Sequence, residues 1–521
     1  MFGQIIMLFK IGRKLASSGA LSSISEIYNP PLTIKILFYI IGFNFGKTEN
    51  LENLSPGEKL CKAFQSMGTT FIKLGQFLAT RPDIIGENLA KDLEKLQDKL
   101  PAFEKKEASI ILKNELGKKN FQDIFELSEP VAAASIAQVH FATLDDGKSK
   151  KEVAIKILRP NIEKLFNKEL DALMLLAFII ENLISKTKRL KLVEVVHLLR
   201  EITNIEMDLR FEAAAANELF ENTKKDKNFL VPKIYWNYTT KKILVLDKID
   251  GISIRNISEI KEKNIDLEKL SKNLIQHFLR QAVRDGFFHA DMHQGNLFVN
   301  NQGDIIPVDF GIMGRLNELN RRYLAEILYG FIKRDYKKVA EIHFMAGLVP
   351  KNTSKDEFAQ ALRSIGEPIF GQSMQNISGA KLLAQLFEIT EKFNMQTQTQ
   401  LLLLQKTMVV VEGVSRKLHP ETNIWEVSKP ILENWLSETQ NPLNKLGEAY
   451  HNTSEIIKRL PDLPKIMDKA NEAITLIAEG KFDPNSLAYY SLKEKELNLK
   501  LMRSKIFIVI LVLVIISLIV F

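Results

Sequence analysis

Between Ser55 and Pro101 apolar residues recur at helical spacing, with Pro82, Gly86 and Pro101 as interruptions, and this stretch is expected to be helical. The pattern then changes. Val131 to Ala142, Val153 to Leu158 and Lys242 to Ile249 are short runs rich in β-branched and aliphatic side chains, and they read as strands. Helical spacing returns between the last two, over Ile162 to Ser185 and Leu192 to Asn222. After Gly251 the chain is expected to be mostly helical to about Gln440, broken by one strand-rich insert from Leu297 to Pro307. A helical tail from Leu443 to Leu501 follows. Helices, then strands, then helices again make the fold class α+β, divided at 1–115, 116–250, 251–440, 441–505 and 506–521.

The last segment has its own pattern. From Ile506 to Phe521 every residue is apolar except Ser517, after Lys495, Lys500, Arg503 and Lys505. Sixteen helical residues span about 24 Å, short of a hydrocarbon core of roughly 30 Å. Leu499, Leu501 and Met502 lengthen the segment if Lys500, Arg503 and Lys505 snorkel. A C-terminal transmembrane helix is therefore expected as an anchor. With the cations only on its N-terminal side, the body of the protein belongs in the cytoplasm. The apolar start, Met1 to Ile11, lacks the basic region and cleavage site of a signal peptide.

Composition narrows the field. A hydrophobic content of 45% suffices for a large core, and 26% charged residues argue against wholesale disorder. The formal charge of +8 suits an anionic membrane surface or phosphate ligands. No zinc knuckle, recognition helix or aromatic–basic repeat supports nucleic acid as a partner. Cys61, the single cysteine, excludes an internal disulfide and reads as a packed or surface thiol without a catalytic role.

Three separated elements carry chemistry. Lys156, in Val153-Ala154-Ile155-Lys156, is a lysine in a β-branched strand, which resembles the phosphate-pairing lysine of kinases. Phe288-His289-Ala290-Asp291-Met292-His293-Gln294-Gly295-Asn296-Leu297 sets an Asn five residues after an Asp, as in a loop where Asp meets the acceptor and Asn holds a metal. Val308-Asp309-Phe310-Gly311 follows, with Asp309 eighteen residues after Asp291, and resembles the metal-binding triplet. Carboxylate and amide oxygens there suit Mg²⁺. A two-lobed protein-kinase-like fold follows from this order. The carboxylate partner of Lys156 is sought in Glu206-Met207-Asp208-Leu209-Arg210-Phe211-Glu212. On one continuous helix Asp208 and Glu212 would share a face, so Glu212 is preferred and Glu206 is the alternative.

A kinase would carry a glycine-rich loop before Lys156. Here the chain reads Val131-Ala132-Ala133-Ala134-Ser135-Ile136-Ala137-Gln138-Val139-His140. Alanine does not readily take the positive φ values with which glycine loops wrap phosphates. This loop resembles that of the UbiB family, atypical kinase-like proteins associated with ubiquinone biosynthesis. So do the Lys-x-Gly-Gln run from Phe71 to Asp83, the Glu206-x-Asp208 element and the run from His289 to Asn296. The likeness covers roughly residues 55 to 440.

The resemblance implies a helical N-terminal extension whose Lys73 meets Glu206 and Asp208 over the active site and limits ordinary kinase behaviour. It implies ATP and Mg²⁺ as cofactors. Asp291, Lys156 and Lys73 would form the catalytic group, and Asn296 and Asp309 would hold the metal. Ala132, Ala133, Ala134 and Ser135, with Lys156, Glu206, Asp208 and Glu212, would bind nucleotide. Asp247 to Gly251 would be the inter-lobe hinge. The expected setting is the inner membrane of a bacterium, with membrane lipids and quinone precursors as partners. Association with ubiquinone-biosynthesis enzymes and self-association are both compatible with it. The expected activity is that of an ATPase or atypical kinase. A phosphotransferase acting on a small molecule or protein, and a non-catalytic nucleotide-switched scaffold, are the rival readings.

Overall fold

The computed structural model describes residues 2–20, 54–183, 191–371 and 385–440, apart from 80, 82–84, 94, 97–99, 146, 148, 386–387, 390–391 and 396–398. Contacts divide the chain into two units. Described parts of the first come from Met1–Asp98 and Glu163–Glu201; the second comprises Lys99–Ile162 and Ile202–Asn441.

In the first unit the chain forms α1 (Phe2–Ser17), α2 (Pro56–Met67), α3 (Thr69–Ala79) and α4 (Glu87–Leu93). Ser55 starts α2 through a reciprocal capping box with Glu58, reinforced by a proline in the first turn. Gly75 lets α3 pack closely: a Cβ there would lie 2.2 Å from Cδ1 of Leu96 and 2.7 Å from Cδ2 of Phe64. Cys61 is buried and its thiol donates to the carbonyl of Asp92. Burial pushes its pKa up to about 11, so it is a packed thiol with little thiolate character.

The second unit opens with α5 (Lys105–Gln122), which kinks at Gly117 (φ 72°). The expected boundary at residue 115 falls inside this helix, because Ala108 and Leu112 pack into the core of the small sheet. That sheet contains β1 (Ile124–Phe125), β2 (Pro130–Ala133), β3 (Ala137–Asp145) and β4 (Lys150–Leu158). The run expected as one strand from Val131 to Ala142 is thus a hairpin that turns over Ala134–Ile136, with Ala133 opposite Gln138. Helices α6 (Ile162–Leu183) and α7 (Leu192–Glu206) follow. Residues 163–201 group with the first unit, and the chain then continues into α8 (Leu209–Thr223). β5 (Ile243–Asp247) completes the sheet, in the order β1-β3-β4-β5 with β2 on β3, all antiparallel.

Helices 162–185 and 192–222 were the expected pair; the second is two helices. Asp208 has extended dihedrals (φ −121°, ψ 93°), and its carboxylate accepts from the Arg210 N–H as the cap of α8. Aspartate favours that capping geometry over a helix interior. Asp208 and Glu212 therefore do not lie one turn apart on a single helix.

Residues 248–251 connect the sheet to the helical lobe, as expected of the hinge. This lobe contains β6 (Ile252–Ser253), α9 (Ile257–Glu262) and α10 (Leu267–Leu279), followed by a π-helical turn (Arg280–Asp285). Then come β7 (Phe287–His289), β8 (Leu297–Val299), β9 (Ile305–Pro307) and β10 (Met313–Arg315). Two small sheets result, β6-β8-β9 and β7-β10, where a single insert was expected. The lobe closes with α11 (Glu318–Ile332), α12 (Tyr336–Met345), α13 (Lys355–Gly371), α14 (Thr399–Leu418) and α15 (Ile424–Gln440). Phe331, Tyr336, Val339, Phe358, Leu362 and Ile365 form a core among α11, α12 and α13. A buried polar knot joins α10 to α14: Ser271 meets Ser415 and Thr422 through its hydroxyl.

Among the described residues no helix is long and apolar enough to cross a membrane. The expected tail (441–505) and anchor (506–521) lie outside them.

Candidate functional site

Strand pairing places Lys156 in the middle of the small sheet, opposite Val139 on one side and Leu244 on the other. Its ammonium lies 2.7 and 2.9 Å from the two carboxylate oxygens of Glu212 and 3.3 Å from Oδ1 of Asp309. Glu212, in the first turn of α8, is thus the partner and Glu206 is not the ion pair made here. Burial disfavours the ammonium, but Asp309 and Glu212 outweigh it and hold the pKa of Lys156 above its ordinary value. Burial pushes Glu212 the other way for a carboxylate, toward protonation, while Lys156 opposes that. With both oxygens of Glu212 on one ammonium, the pair is ionised. The nearby backbone N–H of Phe310 also favours the ionised carboxylate of Glu212. One carboxylate therefore ties the strand bearing Lys156 to the segment bearing Asp309.

Asp309 sits at φ 62°, in the left-handed region that Asp and Asn tolerate better than most side chains. The preceding strand is joined to the Asp291–Asn296 loop by the Val308 N–H, which donates to the Asn296 carbonyl at 2.8 Å. Asn296 turns its amide nitrogen to Asp291, at 3.1 Å from both the carbonyl and Oδ2. That leaves the Asn296 amide oxygen as its accepting group. His289 completes the fastening. Its Nδ1 accepts from the Asp291 N–H (3.2 Å), so Nε2 carries the proton and donates to the Val308 carbonyl (3.2 Å). Burial lowers the His289 pKa, which keeps this neutral tautomer. The ring also meets Phe310 edge-on, at 5.7 Å between centroids.

The alanine loop is built without positive φ among its described residues, in keeping with its composition. Ala132 and Ala133 lie on β2, and Ala134 and the buried Ser135 form the turn. Arg159 clamps it: Nε and Nη2 donate to the Ala134 carbonyl at 3.0 and 2.8 Å, and Nη1 to the Pro101 carbonyl at 2.9 Å. Below it Gln138 exchanges two hydrogen bonds with the backbone of Phe103 and meets His140 at 2.8 Å.

Asp208 is engaged by Arg210, at 2.9 and 2.6 Å, and this hydrogen bonding first of all lowers its pKa. Glu206, half-buried, ends α7. Lys73 lies half-buried on α3 in the first unit. Asp247 of the hinge accepts from the Tyr235 hydroxyl at 2.7 Å and the Lys233 N–H at 3.0 Å.

Sequence reasoning missed Arg159, whose position just after a strand carries no motif. It also missed Thr407. That buried hydroxyl on α14 lies 3.0 Å from the Ala290 carbonyl and 2.7 Å from the Leu403 carbonyl of its own helix, so its proton is shared between the helix and the Asp291 loop.

Two hard oxygen donors, the Asp309 carboxylate and the Asn296 amide oxygen, fit Mg²⁺ completed by phosphate oxygens. No group of three or more His, Cys, Asp or Glu side chains suited to a metal occurs among the described residues. Such a cluster is not needed for an ion shared with a nucleotide.

A lysine–glutamate pair, an Asp-x₄-Asn loop and an Asp-Phe-Gly segment in one two-lobed unit define an atypical kinase-like domain. The ABC1 atypical kinase-like domain matches residues 95–343, and the UbiB helical domain matches residues 362–423. A relative described as "Probable protein kinase UbiB", from Marinobacter nauticus, is 37% identical over 445 residues, covering 84% of this chain and 80% of that one. The chain belongs to the UbiB family of atypical kinases. A solved complex of Rv3197 with erythromycin, from Mycobacterium tuberculosis, aligns with a TM-score of 0.49 at 24% identity, covering 68% of this chain and 89% of that chain.

Proposed function

We propose that this protein is a membrane-associated ATPase or atypical kinase that supports ubiquinone biosynthesis, by ATP-driven handling of lipophilic quinone precursors or of the enzymes that process them. The observation that carries the reading is the Lys156–Glu212–Asp309 cluster, with Nζ 2.7 Å from one carboxylate and 3.3 Å from the other. It is a preorganised cation and anion pair of the kind nucleotide chemistry uses.

Lys156 steadies the α- and β-phosphates of ATP. Asp309 and Asn296 hold Mg²⁺, which supplies charge neutralisation on the phosphates. Asp291 accepts the proton of a water or acceptor hydroxyl as its oxygen bonds to the γ-phosphorus and the bond to the β-phosphate oxygen breaks. The neutral His289 keeps Asp291 and the Asp309 segment in register. The C-terminal apolar segment and the membrane setting belong to this proposal, as do lipids and quinone precursors as partners.

The test is phosphate release from ATP by the purified full chain, with and without anionic liposomes, beside Asp309→Asn. Asn tolerates the left-handed backbone at 309, so this variant removes charge with little change in local strain. Liposome-stimulated release that Asp309→Asn abolishes is the expected result. ATP bound but never hydrolysed under either condition would move the scaffold reading ahead.

A further inference from the structure

We propose that Arg255 and His293 form an anion subsite beside Asp291 that takes a phosphate group on the acceptor side of the candidate site. The inference rests on reading Asp291 as the acceptor-orienting group, and it specifies the class of acceptor or product. His293 is two residues beyond Asp291. Its Nδ1 accepts from the Gly295 N–H at 3.0 Å, so Nε2 carries a proton, and this nitrogen lies 3.7 Å from Oδ2 of Asp291. One imidazole therefore turns an N–H toward the edge of the site where an incoming group must meet Asp291.

Arg255 reaches the same loop from outside. A Cβ on Gly295 would fall 2.3 Å from Nη2 of Arg255 and 2.9 Å from Cε1 of His293, so guanidinium and imidazole are neighbours above a bare glycine. The room exists only because residue 295 has no side chain. The backbone of Arg255 is held as firmly as its head is placed. The Ser253 hydroxyl donates to the Gln294 carbonyl at 3.3 Å, and the Ile254 N–H donates to the Leu297 carbonyl at 3.0 Å. Ser253 also pairs with Phe298 across β6 and β8. Arg255 is exposed, and no carboxylate pairs with it among the described residues.

An unpaired fork of donors next to an imidazole N–H matches the planar, multi-oxygen geometry of phosphate. Lys156, by contrast, is occupied by Glu212 and Asp309. The two cationic centres thus serve opposite ends of the reaction: Lys156 the nucleotide, Arg255 with His293 a second phosphate. That phosphate is either the one released on hydrolysis or a headgroup presented by a lipid.

The experiment follows thermal unfolding of the full chain, without nucleotide, as inorganic phosphate replaces chloride at constant ionic strength. Binding to the folded state raises the midpoint with the logarithm of one plus the ratio of ligand concentration to Kd. Wild type is expected to respond. Arg255→Gln should require about tenfold more phosphate for the same shift, the loss of a charge-assisted fork. Arg255→Lys should fall between, because it keeps the charge without the fork. Gly295→Ala, which pushes the guanidinium away, should resemble Arg255→Gln. A parallel titration with phosphatidic acid vesicles against phosphatidylcholine vesicles separates the sources. Arg255-dependent binding of phosphatidic acid assigns the headgroup, and a response confined to inorganic phosphate assigns the released product. No response in wild type, or one equal in Arg255→Gln, overturns the subsite. ATP binding, followed separately with a fluorescent analogue, tells a failure of the nucleotide reading from a failure of this one.

Discussion

Replacing Glu212 with Gln probes the centre of the site directly. The substitution keeps the shape but removes the charge that holds the Lys156 ammonium at 2.7 Å, and it puts an amide N–H₂ donor in place of one of the two oxygens that accept from that ammonium. Removing one partner of a buried ion pair costs about 3–5 kcal/mol when the other charge is stranded. Here Asp309 stays 3.3 Å from the ammonium and the Gln carbonyl can still accept, so about 2–3 kcal/mol is expected. Urea unfolding of wild type, Glu212→Gln, Lys156→Met and the double variant measures it. The double variant should be more stable than the sum of the singles implies by at least about 1 kcal/mol, because no charge is left unmatched. The pH dependence adds a second readout. Lys156 has a folded-state pKa above its ordinary 10.5, so its contribution is complete below about pH 10.5 and is lost as pH rises through the higher folded value. Glu212→Gln should flatten that alkaline limb. A single-variant cost below about 0.5 kcal/mol, with no coupling in the cycle, would refute the reasoning.

Two further outcomes follow. Thr407→Val strands the buried Ala290 carbonyl, which should cost about 1–3 kcal/mol in chemical unfolding; an unchanged midpoint would remove Thr407 from the loop's support. His277 is buried against Phe229 and Arg280, and burial pulls its pKa down to about 4. Its neutral form is favoured by folding, so its contribution is present above the unfolded pKa near 6.5 and lost as pH falls toward 4. About 3 kcal/mol should be lost between pH 7 and pH 4 through this group. In His277→Gln, stability should depend on acid pH correspondingly less, and identical profiles would rule the histidine out as the titrating group.

Much of the site could be read from the chain because its parts are local. The strand around Lys156, the loop from His289 to Asn296 and the Val308–Gly311 segment each carry their own spacing, and their order supplied the rest. Glu212 was found by helix geometry for a reason that proved incomplete. One helix ends at Glu206 and Asp208 caps the next, a role that its residue type signals at any helix start but that the continuous apolar spacing around it masks. The alanine hairpin reads as one strand because Ala134, Ser135 and Ile136 offer only a serine, a weak turn former, and no glycine, proline, asparagine or aspartate; Arg159 holds the turn instead. The π-helical turn before β7 was invisible for a different reason. It ends at Gly286 (φ 66°), where a Cβ would lie 2.5 Å from the Leu316 carbonyl, a tertiary contact with no periodic trace. Thr407 likewise acts on a partner more than a hundred positions away.

The antiparallel pairing of β4 with β5, which sets Lys156 opposite Leu244, joins strands separated by α6, α7 and α8. A ribosome must therefore release all of that intervening sequence before the small sheet can close. Until then the edge of β4 stands open, with Val153, Ile155 and Ile157 uncovered, and closing so long a loop carries an entropic penalty that slows the step. During synthesis this edge is the place where a nascent chain is most exposed to pairing with the wrong strand. The cell's holding factors would be expected to meet the protein at the lysine-bearing strand before it has ever met a nucleotide.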